Sequence, residues 1–271
     1  MKVSFCGNSV VGKVRPHNED AILMLSSTSD GWISLRAGMV DTNKNLGVAF
    51  VVADGVGGAN AGEIASALAI TSVQEWFPEY MQAIGNDIMD GTGSEEVVEK
   101  ALNQIAMKAH YAIVSMSNEK RLTQGMGTTI VICWIVSDVA YVTWSGDSRC
   151  YVYKSGELRQ LTNDHSLVWQ HQVLTGQITS EQARLSPYSN LILQSLGGGS
   201  KEPEPEFRSE RLGSPGKLLV CSDGLNSMIS DDEIRNILGL DLEVEDTVVR
   251  LIEAASDSGG RDNISVIVGV F

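Results

Sequence analysis

Apolar runs spaced along the 271 residues predict a chain rich in β-strands. The predicted strands lie at Val3 and Phe5 and at 22–25, 32–35, 46–53, 128–136, 139–144, 149–153, 217–221 and 264–271. Only short polar connections separate the three runs between 128 and 153, which is typical of antiparallel hairpins.

Helical spacing of apolar residues predicts helices at 63–77, 95–116, 231–238 and 244–256. The first of them is predicted to stop at Pro78, because proline has no N–H to donate inside a helix. The segment from 202 to 206 contains two prolines and predicts a solvated, extended connector. Because the strands are clustered and the helices stand in separate blocks, the pattern favours an α+β fold over a doubly wound parallel sheet.

Three aspartates stand at the ends of predicted buried strands. Asp54 and Asp223 each follow such a strand, and Asp262 comes just before the last one. Carboxylates gathered at neighbouring strand ends repel one another unless cations lie between them. The pattern therefore predicts an oxygen-rich site for Mg²⁺ or Mn²⁺.

Composition narrows the class of protein. With 43% hydrophobic residues and no long linker, residues 1–271 are predicted to form one domain. The net charge of −14 argues against a surface for nucleic acid or anionic membrane, which needs a basic stripe. This acidity either keeps the protein soluble or partly reflects metal ligands. The N-terminal residues lack the pattern of a signal peptide, and no apolar run approaches the roughly 20 residues of a bilayer span, so a cytoplasmic location is expected.

Two segments imitate binding loops of other kinds. The segment 54–62 lies between a strand and a helix, as a dinucleotide fingerprint would. Its glycine spacing fails at Asn60, and Asp54 would repel a pyrophosphate. Residues 41–45 begin like a calcium loop, but Leu46 stands where the tight turn needs glycine, so a surface turn is predicted.

Seven short motifs follow one another along nearly the whole chain. They are Arg15-Pro16-His17-Asn18-Glu19-Asp20, Asp54-Gly55-Val56-Gly57-Gly58 with Gly62-Glu63, Gly125-Met126-Gly127-Thr128-Thr129, Gly146-Asp147-Ser148-Arg149, Leu161-Thr162-Asn163-Asp164-His165-Ser166, Cys221-Ser222-Asp223-Gly224-Leu225 and Gly260-Arg261-Asp262-Asn263-Ile264-Ser265. In these motifs and their order the chain resembles the metal-dependent Ser/Thr protein phosphatases of type 2C, in the style of bacterial members. The resemblance implies a four-layer α-β-β-α sandwich, in which two antiparallel sheets are flanked by helices.

The resemblance also implies two paired Mn²⁺ or Mg²⁺ ions with Asp54 as the bridging ligand. The further ligands that it implies are Asp223 and Asp262 for one ion and Glu19, Asp20 and the Gly55 carbonyl for the other, partly through water.

A third, weaker ion is implied at Asp147, shared with Asp223. Arg15 is implied to bind the substrate phosphate, and a guanidinium fork does match the oxygens of a phosphate group.

The implied chemistry is attack on phosphorus by a metal-activated water, with no phosphoenzyme, while the ions and Arg15 offset the developing negative charge. Animal relatives have a histidine, proposed as the general acid, just after the Asp-Gly pair. This chain has Val56 there, as many bacterial members do. The group that protonates the leaving serine or threonine alkoxide is left open, and a water on the metal is one alternative.

The irregular segment from about 165 to 199 is predicted to form a flap beside the metal site that selects protein substrates. Bacterial relatives often carry His-Pro-x-Arg-Asn in their flap, where this chain has the sequence Ser186-Pro187-Tyr188-Ser189-Asn190. Loss of that histidine and arginine is expected to alter substrate docking.

The resemblance implies a cytoplasmic, monomeric phosphatase that acts on phosphoserine and phosphothreonine in proteins and opposes a cognate Ser/Thr kinase. One alternative is a pseudophosphatase that serves as a binding or sensor module. Such proteins usually lack one or more of the metal-binding acids, and none is missing here. A second alternative is a hydrolase of small phosphoesters, which differs in its relative turnover of phosphopeptides and small aryl phosphates.

Overall fold

A computed structural model of the protein describes residues 1–56, 61–119, 123–198, 201–213 and 215–271. Four residues considered above lie outside the described residues. They are Gly57 and Gly58 of the second motif, Asn60, and Gly199 at the predicted end of the flap.

Two antiparallel sheets form the centre of the molecule. The strands are β1 Lys2–Val10, β2 Asp20–Thr28, β3 Gly31–Ser34, β4 Ala37–Asp41, β5 Val48–Val56, β6 Gly127–Thr128, β7 Ile130–Val136, β8 Val139–Ser145, β9 Arg149–Lys154, β10 Glu157–Gln160, β11 Glu206–Arg211, β12 Gly216–Cys221 and β13 Ile264–Val270. Within the described residues, the first sheet has the order β10-β9-β12-β13-β1-β4. The second has the order β11-β8-β7-β5-β2-β3, with the short β6 paired to β5.

Six α-helices accompany the sheets in the described residues, and all except α3 cover the outer face of one sheet or the other. They are α1 Ala61–Met89, α2 Glu95–Glu119, α3 Ser180–Arg184, α4 Asp223–Asn226, α5 Asp231–Leu238 and α6 Val244–Asp257. Phe5 and Phe50 are buried between the sheets, α1 and α2 pack on the second sheet around Phe77, and α4, α5 and α6 pack on the first sheet around Leu251. The predicted four-layer α-β-β-α sandwich is confirmed.

The predicted stop of the first helix at Pro78 is wrong, because α1 continues through this proline to Met89. A proline inside a helix costs about 3 kcal/mol. The turns beyond it bury Met81 completely and pack Gly85 against Leu46. Full burial of one such apolar side chain contributes about 1.5–3 kcal/mol, which is enough to offset the cost of the proline.

Three strands were missed by the sequence patterns, namely β4, β10 and β11. All three lie at the edges of the sheets. Most of their residues are exposed or only partly buried, so these strands lack the continuous apolar run of an interior strand. The predicted solvated connector at 202–206 is correspondingly too long, because Glu206 already pairs with Trp144 of β8 and Pro203 is buried.

The flap, described over residues 165–198, contains a π-helical turn at Trp169–Val173 and the short helix α3. One isolated bridge, between Ser166 and Ile192, closes the flap on itself, and another ties Leu196 to Thr128 of β6. In the described parts of the chain, no helix combines the length and the apolar character that crossing a bilayer requires.

Candidate active site

Five aspartates from five different parts of the fold converge at one end of the two sheets, and we call them the acid centre. They are Asp20 at the start of β2, Asp54 in β5, Asp147 between β8 and β9, Asp223 at the start of α4 and Asp262 before β13. Asp20 and Asp54 are directly opposed in the antiparallel register of β2 and β5. The Cβ atoms of such opposed residues lie about 4.5–5.5 Å apart. The sheet itself therefore brings these two carboxylates together.

The electrostatics of Asp54 reflect this convergence. Burial raises the pKa of Asp54 well above its ordinary value, and repulsion from the other four members of the acid centre raises it further. Burial also raises the pKa of Asp223, to about 6, although a hydrogen bond with Asp54 opposes the shift. Two carboxyl groups can share a hydrogen bond only when one of them carries a proton. Without cations, the centre thus retains protons to limit its negative charge.

Hydroxyl groups hold Asp20. Ser222 Oγ and Ser265 Oγ donate to its Oδ2 atom at 2.7 and 2.6 Å. These hydrogen bonds lower its pKa, but burial outweighs them and raises the value to about 7. The carboxylate of Asp20 is thus fixed between β12 and β13.

Arg15 reaches the acid centre from an exposed segment. Its Nη2 atom donates to Asp262 Oδ2 at 2.6 Å, while the backbone N–H of Asn263 donates to Asp262 Oδ1 at 2.9 Å. The hydrogen bond and the charge of Asp262 raise the pKa of Arg15. The guanidinium predicted to bind phosphate therefore lies directly beside a predicted metal ligand.

Asp147 is buried, and its Oδ1 atom has no hydrogen-bond partner within the described residues. Burial raises its pKa well above the ordinary value, and the charges of Asp223 and Asp164 add to the shift. A buried polar atom without a partner is costly, commonly about 1–3 kcal/mol. Such an orphaned oxygen beside Asp223 fits a site that takes a cation.

The glycines of the two Asp-Gly pairs are required by close backbone contacts. A Cβ atom on Gly55 would lie 2.3 Å from the Gly62 carbonyl oxygen, and one on Gly224 would lie 1.9 Å from the Asn263 carbonyl oxygen. Each aspartate is thus followed by a residue that lets a second segment pack directly against the backbone.

Glu19 lies at the rim of the acid centre. Its carbonyl oxygen accepts hydrogen bonds from Gly55 N at 3.1 Å and from Ser66 Oγ at 2.6 Å. Its carboxyl carbon would be 3.1 Å from a Cβ atom on Gly62. The structure thus holds Glu19 next to the Gly55 backbone, as the predicted ligand set requires.

Several hydroxyl and amide side chains hold the acids in place. The sequence motifs contain these residues, but the sequence patterns assigned them no role. Thr129 Oγ1 bonds the backbone N–H of Asp54 at 3.1 Å and Ser148 Oγ at 2.8 Å, and Thr128 Oγ1 donates to the Asp54 carbonyl at 2.8 Å. Asn263 accepts from the Glu19 N–H at 2.8 Å. The conspicuous signal was that each of these residues is adjacent to, or paired across a strand with, a predicted metal ligand.

A cavity of about 250 Å³, the acid cavity, opens beside the acid centre. Asp147, Asp223 and Asp262 line it from the core. Trp169 and Asn190 of the flap line its other side. The predicted flap therefore does border the predicted metal site.

The donors present suit hard divalent cations, because carboxylate and carbonyl oxygens are the ligands that Mg²⁺ and Mn²⁺ prefer. In the portions of the chain that the structure describes, no three Asp, Glu, His or Cys side chains are arranged to enclose one ion. Asp20 and Asp262 are instead engaged by protein donors. The donor set and the orphaned oxygen of Asp147 fit metal binding, which would exchange these protein donors for cations.

Comparisons with known proteins agree with this site. The family model for protein phosphatase 2C matches residues 36–265. Protein phosphatase PhpP of Streptococcus pneumoniae is 34% identical over 231 residues, which cover 80% of this chain and 82% of PhpP. The crystal structure of Stp1 from Staphylococcus aureus has a TM-score of 0.80 at 28% identity, with 98% of this chain and 94% of that chain covered.

The serine/threonine phosphatase PstP of Mycobacterium tuberculosis has a TM-score of 0.78 at 28% identity, and the match covers 100% of this chain and 99% of that chain. The catalytic domain of PstP has also been solved in complex with two manganese ions, and that structure has a TM-score of 0.75. The chain described here belongs to the protein phosphatase 2C family and is a serine/threonine protein phosphatase.

Proposed function

We propose that the acid centre hydrolyses phosphoserine and phosphothreonine in proteins with Mn²⁺ or Mg²⁺ as cofactor. The observation that carries this proposal is the position of Asp54, whose carboxylate is close enough to four other aspartates to be strongly repelled by them. The family is metal-dependent, and PstP binds two manganese ions. Cations would turn a mutually repulsive cluster into a ligand set.

Each member of the site has a proposed role. Asp54 would contribute ligands to both of two paired ions. The remaining ligands proposed are Asp223 and Asp262 for one ion, Glu19, Asp20 and the Gly55 carbonyl for the other, and Asp147 with Asp223 for a third, weaker ion. When bound, the ions supply the polarisation that makes water a nucleophile at neutral pH.

Arg15 is proposed to orient the substrate. Its guanidinium already lies at the acid centre through its contact with Asp262. A phosphate group offers the same kind of acceptor oxygen with more negative charge, so Arg15 can exchange one partner for the other. In that position it would hold the phosphate beside the bridging acid and offset charge that develops on its oxygens.

We further propose that residues 1–271 act as one catalytic domain with the flap at 165–199. The protein is proposed to work as a monomer in the cytoplasm against phosphoproteins made by a cognate Ser/Thr kinase, without binding nucleic acid or membrane. The net charge of −14 supports the last part of this proposal.

Chelation provides the direct test. We expect turnover of phosphothreonine peptides to stop in EDTA and to return when Mn²⁺ or Mg²⁺ is added in excess. Titration of each metal into the chelated protein, followed by calorimetry, would give the number of ions and the preferred one. Full activity in metal-free buffer with chelator would refute the proposal.

A further inference from the structure

A second cavity, the flap cleft, adjoins the acid cavity at Asn190, which lines both. It has a volume of about 870 Å³. Its walls include residues from β5, the flap and the segment before β11, among them Val56, His165, Asn190, Gln194, Glu204 and Glu206. Binding sites for molecules of drug size typically have volumes of about 300–1,000 Å³. The cleft is therefore large enough for several side chains of a bound peptide.

Two residues connect the flap cleft to the acid centre. Asn190 lines both cavities. Val56, which lines the flap cleft, is two residues beyond Asp54 on the same strand. The acid cavity, at about 250 Å³, suits a phosphorylated side chain but not the polypeptide that carries it. The flap cleft provides adjacent room for that polypeptide.

The charged groups of the flap cleft are mainly acidic. Glu206 is engaged, since its Oε1 atom lies 3.1 Å from Nε2 of His165. Glu202 accepts a hydrogen bond from the Tyr111 hydroxyl. Glu204 is exposed, and its carboxylate has no hydrogen-bond or ion-pair partner within the described residues. Lys201 also lines the cleft and carries a positive charge.

Glu204 is held in place through its backbone. Gln194 of the flap donates from Nε2 to the Glu204 carbonyl at 2.9 Å, and its Oε1 atom accepts from the Glu204 N–H at 3.0 Å. This pair of hydrogen bonds reproduces the pairing that a neighbouring strand would make. It fixes the backbone that carries the free carboxylate on the wall of the cleft before any ligand arrives, which reduces the backbone entropy lost on binding.

We propose that the flap cleft binds a cationic segment of the phosphoprotein substrate, next to the phosphorylated residue, and that Glu204 is its specificity-determining residue. This inference rests on the proposed function and names the substrate class of the same site. It follows from the adjoining walls, from the free carboxylate on a fixed backbone, and from the complementarity of a basic segment to this acidic cleft.

The test uses phosphothreonine peptides that are identical except for arginine, serine or glutamate at the positions flanking the phosphothreonine, on one side or the other. In low salt we expect kcat/KM to be about 3–10-fold higher for an arginine peptide than for its serine counterpart, mainly through KM, on the scale of one or two favourable charge contacts. Because the contact is exposed, the preference should shrink at about 0.5 M salt.

Single substitutions test whether Glu204 causes the preference for arginine peptides. Glu204→Gln should reduce the preference for arginine about threefold, Glu204→Lys should reverse it, and Lys201→Gln should increase it. Glu253→Gln is the control, because Glu253 is also exposed but lies on α6, in the opposite helical layer, where it pairs with Arg250. All four variants should hydrolyse a small aryl phosphate at the wild-type rate.

Binding of the unphosphorylated peptides, measured by fluorescence anisotropy, tests the cleft without catalysis. Arginine peptides should bind wild type more tightly than Glu204→Lys. An unchanged preference in Glu204→Lys, or an equal fall in aryl phosphate turnover, would overturn the assignment of the cleft. Failure of the proposed function looks different, since metal would then support no turnover of any substrate even in the wild-type protein.

Discussion

The acid centre and the flap are neighbours, but they are built in different ways. Asp54 lies within a sheet, and the Thr129 side chain holds its backbone. Within its described residues, the flap has one π-helical turn and one helix of five residues, and isolated bridges join Ser166 to Ile192 and Leu196 to Thr128. Groups that must keep a fixed position relative to the phosphorus atom are best placed on rigid strand ends. A segment with little regular structure can vary in sequence without moving those groups.

The attachments of the flap support this contrast. At its start, Arg149 of β9 forms a buried bidentate pair with Asp164, at 2.8 and 2.6 Å. In its middle, Arg184 donates to the Ser227 carbonyl at 3.1 Å, just after α4. The flap is therefore anchored to β9 of the first sheet and to the segment after α4, beside the acid centre. We infer that it governs which protein chain approaches while the acid centre performs the reaction.

Asp54→Asn should have the largest effect. A bridging ligand serves two ions at once, so we expect kcat at saturating Mn²⁺ to fall by about 10²-fold or more, the scale of removing a major electrostatic element. Phosphopeptide and aryl phosphate turnover should fall together. The exposed acid Asp90 offers a matched control, since Asp90→Asn should keep wild-type activity. A variant at position 54 that kept most of its kcat would show that Asp54 is not the bridge.

Arg15→Ala should have the second-largest effect on activity. Hydrogen bonds to charged groups contribute roughly 1.5–3 kcal/mol, so we expect kcat/KM to fall by about 10–100-fold. Calorimetry should show that the paired ions still bind. Lys13→Ala removes a cation two residues away that pairs with Asp257 instead, and it should have little effect. An unchanged kcat/KM, or a loss of bound metal, would contradict the proposed role of Arg15.

Asp147→Ala should act on the third ion alone. We expect the affinity of the weakest metal site to fall by about tenfold or more, with lower turnover at limiting Mn²⁺ and the paired ions retained. Asp138 occupies the turn of the neighbouring hairpin, is half-buried and pairs with Arg211 away from the acid centre, so Asp138→Ala serves as control. A crystal structure at high Mn²⁺ with no cation near Asp147 would leave it as an ordinary turn residue.

Exchange of residues 167–193 for those of a relative should have the smallest effect on the chemistry. We expect the kcat/KM ratios among phosphoproteins to change by about 2–10-fold, typical of a few altered contacts, while aryl phosphate turnover changes little. Equal losses for both kinds of substrate would place the flap within the catalytic scaffold and remove the contrast drawn above.

The sequence patterns predicted interior elements better than edges, for a physical reason. An interior strand such as β5 is buried on both faces and must be continuously apolar. An edge strand such as β11 is stabilised by its hydrogen bonds to β8 while its side chains stay partly exposed. In α1, burial of the residues beyond Pro78 likewise outweighs the helix-breaking effect of the proline. Contributions that come from distant partners leave little trace in a local pattern.

For the candidate site, the sequence likewise predicts the individual residues but not the contacts between them. The three acids at strand ends were visible as local features, and the family motifs added Arg15, Glu19, Asp20, Gly55 and Asp147. The contacts that organise them were not visible. Arg15 pairs with Asp262, and Ser222 bonds Asp20, although hundreds of residues separate the partners in sequence. Only the folded topology brings such groups together.

The pairing of β1 with β13 couples the reaction centre to the order of folding. These strands join the two ends of the sequence, with Ser4 opposite Val270 and Ser9 opposite Ser265. Ser265 in turn bonds Asp20. Pairings between residues so far apart in sequence form slowly, because the entropy of loop closure is lost before the stabilising contacts form. Partly folded chains should therefore be catalytically silent, and in refolding activity should return with the last kinetic phase, after collapse and helix formation.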